Sequence, residues 1–494
     1  MSEEKKAFQP YVPVSVAMGE FTVRAVVLGA VLGLVFSAVT VYLGLKAGLT
    51  VAVNIPIAII AMAIFAALAK TKGASKGTVL EIATVQTTGA AGESIAAGII
   101  FTMPALIFLG FTLDVTKTFV VALAGGCLGV CFLIPLRRIL IEKEHGVLPY
   151  PEGIACAEVI KSGEKGGAHA GAVFWGAGLG LAYKLLMNVF RFWREQPVWK
   201  PAFYSGSTII AEASPELLGV GYIIGPRTAS IMVAGGFVSW MLLIPLIKFF
   251  GASTPITVDG ASNTIGEVTN YSVIWSRYVR YIGAGAVVAG GLINLVRAMP
   301  TIAHSFRDSF AEIRRGKGEA RAVERISQDL PITFVIAGIA VAFVVIYALL
   351  NLVIHPGHLG GNFIATVLII VFGFFFATVS SRLVGEIGVS SNPTSGMTVA
   401  TLMATCLIFL GVGWSGGVYT AVALMVGAVV CICASNAGNV AQALKTGYLL
   451  GCTPRKQEYG YIIGAFTSIF IVGFTVVTLN SAFTTEERIA DSAF

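Results

Sequence analysis

The 494-residue sequence predicts an all-α polytopic membrane protein. About 13 transmembrane helices are expected, with re-entrant or broken segments among them, in two parallel repeats of which the second is C-terminally truncated. Three observations carry this. Hydrophobic residues make up 56% of the chain and charged residues 12%, about half the roughly 25% charge of a soluble domain. Apolar runs close to the ~20 residues that span a hydrocarbon core recur along the chain. Finally, Ala105-Leu106-Ile107-Phe108-Leu109-Gly110 returns as Cys406-Leu407-Ile408-Phe409-Leu410-Gly411, and Val121-Ala122-Leu123 as Val422-Ala423-Leu424, both at an offset of 301.

Taken in order, residues 1–20 form a polar tail expected on the cytoplasmic side, and the run that follows is expected to act as an uncleaved signal anchor. A first repeat over 21–297 holds eight apolar runs, at 21–42, 51–69, 93–111, 118–135, 171–190, 203–224, 231–250 and 271–296. A basic cytoplasmic linker fills 298–330 and is expected to form an amphipathic helix. The second repeat, 331–494, holds five runs, at 331–354, 361–379, 395–413, 417–434 and 459–480. Lys70, Lys72, Lys76, Arg137 and Arg138 fall on the same side as the linker, which makes the N-terminus cytoplasmic. The net charge of +7 therefore reads as a topology signal, and nucleic-acid binding is excluded.

Further alignment pairs Ala157–Gly163 with Ala441–Gly447 at an offset of 284, so the first copy carries extra residues around 137–153. Completing the second copy would add three spans. The counterparts of the runs from 203 onward are missing.

Matching interruptions in internal repeats point to transport sites. The first interrupted stretch, 78–111, contains Glu81, Gln86, Thr87 and Thr88, breaks at Gly89–Gly92 and resumes with Glu93 and Ser94. An acid held away from water favours its protonated form, the property a proton carrier needs, and intramembrane acids mark function. Glu93, Glu158 and Glu81 are the proton-coupling candidates. The second interruption follows Glu386 and centres on Asn392-Pro393, since proline removes a donor and drives its predecessor out of helix. Asn392, Thr394 and Ser395 are uncharged and suit a peptide-like or zwitterionic ligand; helix capping is the competing reading. The third stretch is Leu148-Pro149-Tyr150-Pro151-Glu152-Gly153, where Pro and Gly argue against a straight helix. Its partner spans 434–440, with Asn436 and Asn439, and Gln442 stands where the first copy has Glu158. Gln86, Thr87, Thr88, Ser94, Asn392, Thr394, Ser395, Asn436, Asn439 and Gln442 are the substrate-binding candidates.

Other polar positions read as surface. Lys46 and Asn54 lie at an external turn, and Asp259, Asn263, Glu267 and Asn270 in an external loop. His355 and His358 form no metal site by themselves. The seven cysteines lie mostly in apolar runs and read as packing residues, so neither metal nor cofactor is expected. Gly29-x-x-x-Gly33, Gly125-x-x-x-Gly129 and Gly176-x-x-x-Gly180 read as close-packing helix faces. No nucleotide-loop, nucleophile-elbow or zincin motif appears, so the chain is not expected to be an enzyme.

At Val85-Gln86-Thr87 with Ala91–Gly98, at Pro135-Leu136-Arg137-Arg138, at Leu148–Gly153 with Ala157-Glu158-Val159, and at Gly219–Ile223 with Gly225-Pro226, the chain resembles the oligopeptide transporter (OPT) superfamily. It looks closest to prokaryotic members, and the superfamily includes the yellow-stripe-like metal-chelate transporters. The Pro-Tyr-Pro-Glu-Gly stretch is the most specific piece. The resemblance implies sixteen helices and proton-coupled import of oligopeptides or metal chelates across a bacterial or archaeal inner membrane. The shortened second repeat leaves an alternative: a transport-inactive paralogue serving as scaffold or partner subunit, with a homo-oligomer or a complementing polypeptide as its context.

Overall fold

In hydrocarbon every backbone N–H and C=O needs a partner within the protein, and helices provide one locally. The chain follows that rule. The computed structural model describes residues 8–47, 52–70, 76–108, 115–165, 167–201, 203–204, 206–258, 261–290, 324–354 and 358–482, with isolated positions in 293–300. The predicted linker helix, Lys72, Asp259 and His355 lie outside the described residues, as does the side chain of Lys46. Among the described residues nine helices are long and apolar enough to cross a membrane.

The first unit comprises Met1–Gly166 with Gly291–Glu486. Its helices are α1 (Val23–Ala47), α2 (Asn54–Leu68), α3 (Val79–Ile100), α4 (Pro104–Phe108), α5 (Val115–Arg137) and α6 (Pro151–Lys165). The second unit comprises Gly167–Gly290 with Glu487–Phe494. It holds α7 (Gly167–Lys184), α8 (Pro215–Phe237), α9 (Ile244–Phe250) and α10 (Tyr271–Ile274). The first unit then resumes with α11 (Ile332–Leu349), α12 (Leu359–Ile387), α13 (Thr394–Gly411), α14 (Gly417–Leu450) and α15 (Pro454–Ala482).

In the first unit α3 is buried along its whole length. It packs against α1, α2, α14 and α15, while α14 packs also against α5, α12 and α13. Small residues make this possible. A Cβ on Gly98 of α3 would stand 2.5 Å from Ile432 of α14. Gly29 and Gly33 of α1 abut Val85 and Gly89 of α3, and Gly125 and Gly129 of α5 abut Val429 and Cys433 of α14. Two of the three predicted small-residue faces thus lie at helix contacts, whereas a Cβ on Gly176 or Gly180 would meet nothing within 4 Å among the described residues.

The predicted break at Gly89–Gly92 is absent: α3 runs through it. The glycines serve close approach, since a Cβ on Gly92 would collide with Ser37 and Ser468. The chain interrupts its helix later, at the turn Phe101–Met103 before Pro104. The run expected to end at 434 continues through 434–440, because α14 is one helix of 34 residues. The stretch expected to be its counterpart is divided into α5, a π turn (Arg138–Lys143) and α6. Proline did not prevent α6, since Pro151 is its first residue, where no N–H is needed. The interruption at Asn392-Pro393 is present, between α12 and α13, with Gly388 at φ 87 closing α12.

In the second unit the expected run 203–224 is not a span. Residues 209–210 belong to a short antiparallel hairpin, β1 (Val198–Trp199) with β2 (Ile209–Ile210), and α8 starts only at Pro215. Gly225, at φ 77, kinks α8 ahead of Pro226, and one apolar stretch runs from Gly225 to Phe250. The expected polar loop around Asn263 is a second hairpin, β3 (Pro255–Val258) with β4 (Ala261–Thr264). Ile244, Ile256, Ile265, Val268, Ile274 and Val279 form a core beneath it.

Candidate functional site

Buried polar side chains in a membrane protein must find partners, because each unsatisfied group costs several kcal/mol in hydrocarbon (~1–3 in mutational terms). The polar residues of α3 and α14 find them in each other and in α2, α6 and α15. Gln86 donates to Asn54 Oδ1. Asn54 donates to Asn439 Oδ1 at 3.1 Å, and Asn439 donates to the Ala90 carbonyl at 2.9 Å. Gln457 of α15 extends the chain by donating to Thr87 Oγ1 at 3.0 Å. Glu93 lies within it: its Oε2 accepts the Val53 N–H at 3.0 Å, and the Asn439 side chain also reaches it.

One turn away, Ser94, Asn436 and Tyr461 close a triad. Asn436 Oδ1 accepts from Ser94 at 2.8 Å and from Tyr461 at 2.9 Å, while its amide donates to the Gly126 carbonyl at 2.7 Å. This triad joins α3, α14, α15 and α5.

The Pro-Tyr-Pro-Glu-Gly stretch supplies the third part. Tyr150 sits at φ 51, a strained conformation for a bulky residue. It is held there by its N–H to the Gly385 carbonyl at 2.8 Å and its hydroxyl to the Ser381 carbonyl at 3.2 Å. Pro151 starts α6 and aims Glu152 inward. Glu152 is 3% exposed; its Oε1 accepts the Ser390 N–H at 2.9 Å and its Oε2 accepts from Gln442 Nε2. Gly153 lets α6 approach α14 closely, since a Cβ there would stand 3.0 Å from the Gln442 carbonyl.

The three proton candidates separate. Glu93 is buried at 3% exposure. Glu81 is buried but ion-paired: Arg24 contacts it through two nitrogens at 2.8 and 2.6 Å, and it completes a capping box with Thr78 at the start of α3. Glu158 is 61% exposed and pairs with Lys161 at 2.8 Å. The burial expected of it belongs instead to Glu152, six residues earlier in the same helix.

The substrate candidates separate too. Gln86, Thr87, Ser94, Asn436, Asn439 and Gln442 come together as described. Thr88 is buried with an unpartnered hydroxyl. Asn392 donates to Ser380 Oγ at 2.8 Å and leaves its Oδ1 unpartnered. Thr394 is buried at the start of α13, and Ser395 is exposed.

Several residues read as surface or left unused prove central. Asn54 is buried, not at a surface turn. Arg137, expected as a loop charge, is fully buried and contacts Asp329 and Glu142. Lys445, at 1% exposure, lies on α14 one turn beyond Gln442. A lone charge in a long apolar helix was the available signal. Among the described residues no group of three His, Cys, Asp or Glu could hold a metal ion.

A family model described as OPT oligopeptide transporter protein matches residues 20–492. The chain is 29% identical over 462 residues to a Haemophilus influenzae protein named as an oligopeptide transporter, covering 90% of this chain and 70% of that one. It is 25% identical over 309 residues to a Saccharomyces cerevisiae protein named likewise, covering 55% of this chain and 41% of the relative. It is 24% identical over 371 residues to an Oryza sativa protein named as a metal-nicotianamine transporter, covering 68% of this chain and 50% of the relative. The chain thus spans half or less of the length of the latter two.

Proposed function

The chain belongs to the OPT oligopeptide transporter family, and on that footing we propose that it is a proton-coupled importer of oligopeptides or peptide-like metal chelates. The observation that carries the reading is the buried polar network, where Glu93 lies among the amides of Asn54, Asn439 and Gln86. Amide side chains suit the hydrogen-bonding groups of a peptide backbone. A carboxyl enclosed with them, and among the described residues without a cation on it, suits reversible protonation. Glu93 is assigned the proton, with Glu152 in the place first given to Glu158. Glu81, neutralised by Arg24, is assigned a structural part.

The multi-pass chain is assigned to a bacterial inner membrane, in line with the Haemophilus relative. Lys70, Lys76 and Arg138 support a cytoplasmic N-terminus. The test is uptake by the full chain in proteoliposomes under an inward proton gradient, with labelled tripeptides and zinc-nicotianamine as probes. Gradient-accelerated uptake of either class is expected. Uptake equal to that of empty vesicles, or indifferent to the gradient, overturns the reading.

A further inference from the structure

Lys445 is a buried ammonium whose described partners are weak for a charge. It donates to the Ile141 carbonyl at 3.3 Å and to His145 Nδ1 at 3.0 Å. It also lies over the rings of Tyr150 and Tyr448, at 5.5 and 5.8 Å from their centroids. Among the described residues no carboxylate forms an ion pair with it. A charge inside a membrane helix is expensive and marks a functional position whose partner should be sought.

A second, independent feature stands beside it. The Oε1 atom of Gln442 is buried and accepts no hydrogen bond. Its orientation is not free to change, because Glu152 accepts from the Nε2 of the same amide; a flipped amide would set oxygen against carboxylate. A buried cation without an anion and a buried acceptor without a donor thus stand on one helix face. They are three positions apart, about 4.5 Å along the axis.

We propose that Gln442 and Lys445 form a subsite for the carboxyl-terminal residue of a peptide, with Gln442 Oε1 accepting its amide N–H and the Lys445 ammonium binding its carboxylate. The two groups of such a residue are one residue length apart, about 3.5 Å, which the spacing on α14 accommodates. The Tyr150 ring forms one wall beneath the ammonium.

The cover of the subsite is also in place. Phe8 stacks on Tyr448 with ring centroids 4.4 Å apart and leans on His145 at 4.6 Å. The segment behind Phe8 is tied down by the N–H groups of Tyr11 and Val12 to the carbonyls of Leu449 and Leu450, each at 3.0 Å. Binding of a carboxylate displaces His145 from the ammonium, and its release on the cytoplasmic side requires this strap to lift.

The inference rests on the transport reading for its physiological meaning, but its test does not. Trialanine and trialanine amide are titrated by calorimetry into the full chain in detergent, and both are offered for uptake in proteoliposomes. The free acid is expected to bind about tenfold or more tighter than the amide, the scale of one charged hydrogen bond. The preference should fall to about one in Lys445→Met and persist in Lys445→Arg. Lys445→Met should fold, because replacing an unpaired buried charge with an apolar chain removes a desolvation cost. Equal binding of acid and amide, absence of binding, or a preference that survives Lys445→Met overturns the subsite. Uptake that ignores the terminal carboxylate removes the subsite and leaves the transport reading standing. Carboxylate-selective binding without any uptake does the reverse.

Discussion

Glu152 and Gln442 are 290 residues apart in sequence and hydrogen-bonded in the interior of the protein. The bond fixes which end of the Gln442 amide faces outward from the pair. It also joins the start of α6 to the middle of α14, and Ser390 adds the loop before α13 to the same carboxylate.

Glu152→Gln places an amide nitrogen where a carboxylate oxygen accepts from Gln442 or from Ser390, leaving donor against donor. A loss of about 1–3 kcal/mol is expected. Glu158→Gln removes only an exposed i,i+3 pair and should cost no more than about 0.5 kcal/mol. Thermal unfolding in detergent compares the two, and the reverse order would refute the exchange of roles between them.

Glu93→Gln preserves the size of the side chain and most of its hydrogen bonding while removing its proton chemistry. Acceleration of uptake by an inward proton gradient should disappear. Uptake in proteoliposomes between about pH 5 and 8, the range in which a buried carboxyl can titrate, reads this directly. A variant with the wild-type pH profile would exclude Glu93 as the proton carrier.

Arg137 is fully buried and holds Glu142 at 2.5 Å and Asp329, which joins the end of α5 to the segment before α11. Arg137→Met takes the ion-pair partner from Glu142 and leaves Asp329 with Arg138 alone, and should cost about 3 kcal/mol. Arg138→Met, at a side chain 46% exposed, should cost about 1 kcal/mol or less. Chemical or thermal denaturation in detergent distinguishes them.

Gly98→Leu drives a side chain into the backbone of Ile432 and should destabilise by about 1–3 kcal/mol or displace α14 from α3. A Cβ at Gly176 meets nothing within 4 Å among the described residues, and Gly176→Leu should leave the unfolding midpoint unchanged. Comparable loss at both positions would contradict the packing described for α3 and α14.

His145 is held below its ordinary pKa by burial and by the neighbouring Lys445 charge. It is neutral in the folded chain, so its contribution to stability is complete above about pH 6.5 and is lost as pH falls toward the lower folded value. Once protonated it no longer accepts from Lys445 and repels it. Hydrogen exchange of residues 8–20, corrected for intrinsic rates, should show less protection at about pH 5.5 than at about pH 7.5. Protection that does not change with pH would separate the strap from His145.

The helical class and the courses of α1, α5, α11, α12, α13 and α15 were legible because composition and apolar length are local properties. The Asn392-Pro393 interruption was legible for the same reason, since proline acts on its own backbone. The break expected at Gly89–Gly92 failed, and the run expected to end at 434 continued, because glycine and small polar residues have two uses. They loosen a helix in isolation, and they admit a neighbouring helix when one packs close, as Ile432 does at Gly98.

The sequence by itself determined that this chain spans a membrane and that its backbone is helical there, because hydrocarbon forces these outcomes on any chain of such composition, while its local motifs carried the family resemblance. Only the tertiary structure decided which polar residues meet. Glu152 and Glu158 lie six residues apart, about 120° round the same helix, so one faces α14 and the other faces away. Asn54 and Asn439 are 385 residues apart in sequence, and no local pattern joins them. Their contact follows from how α2, α3 and α14 pack, which depends on the small residues that let those helices approach.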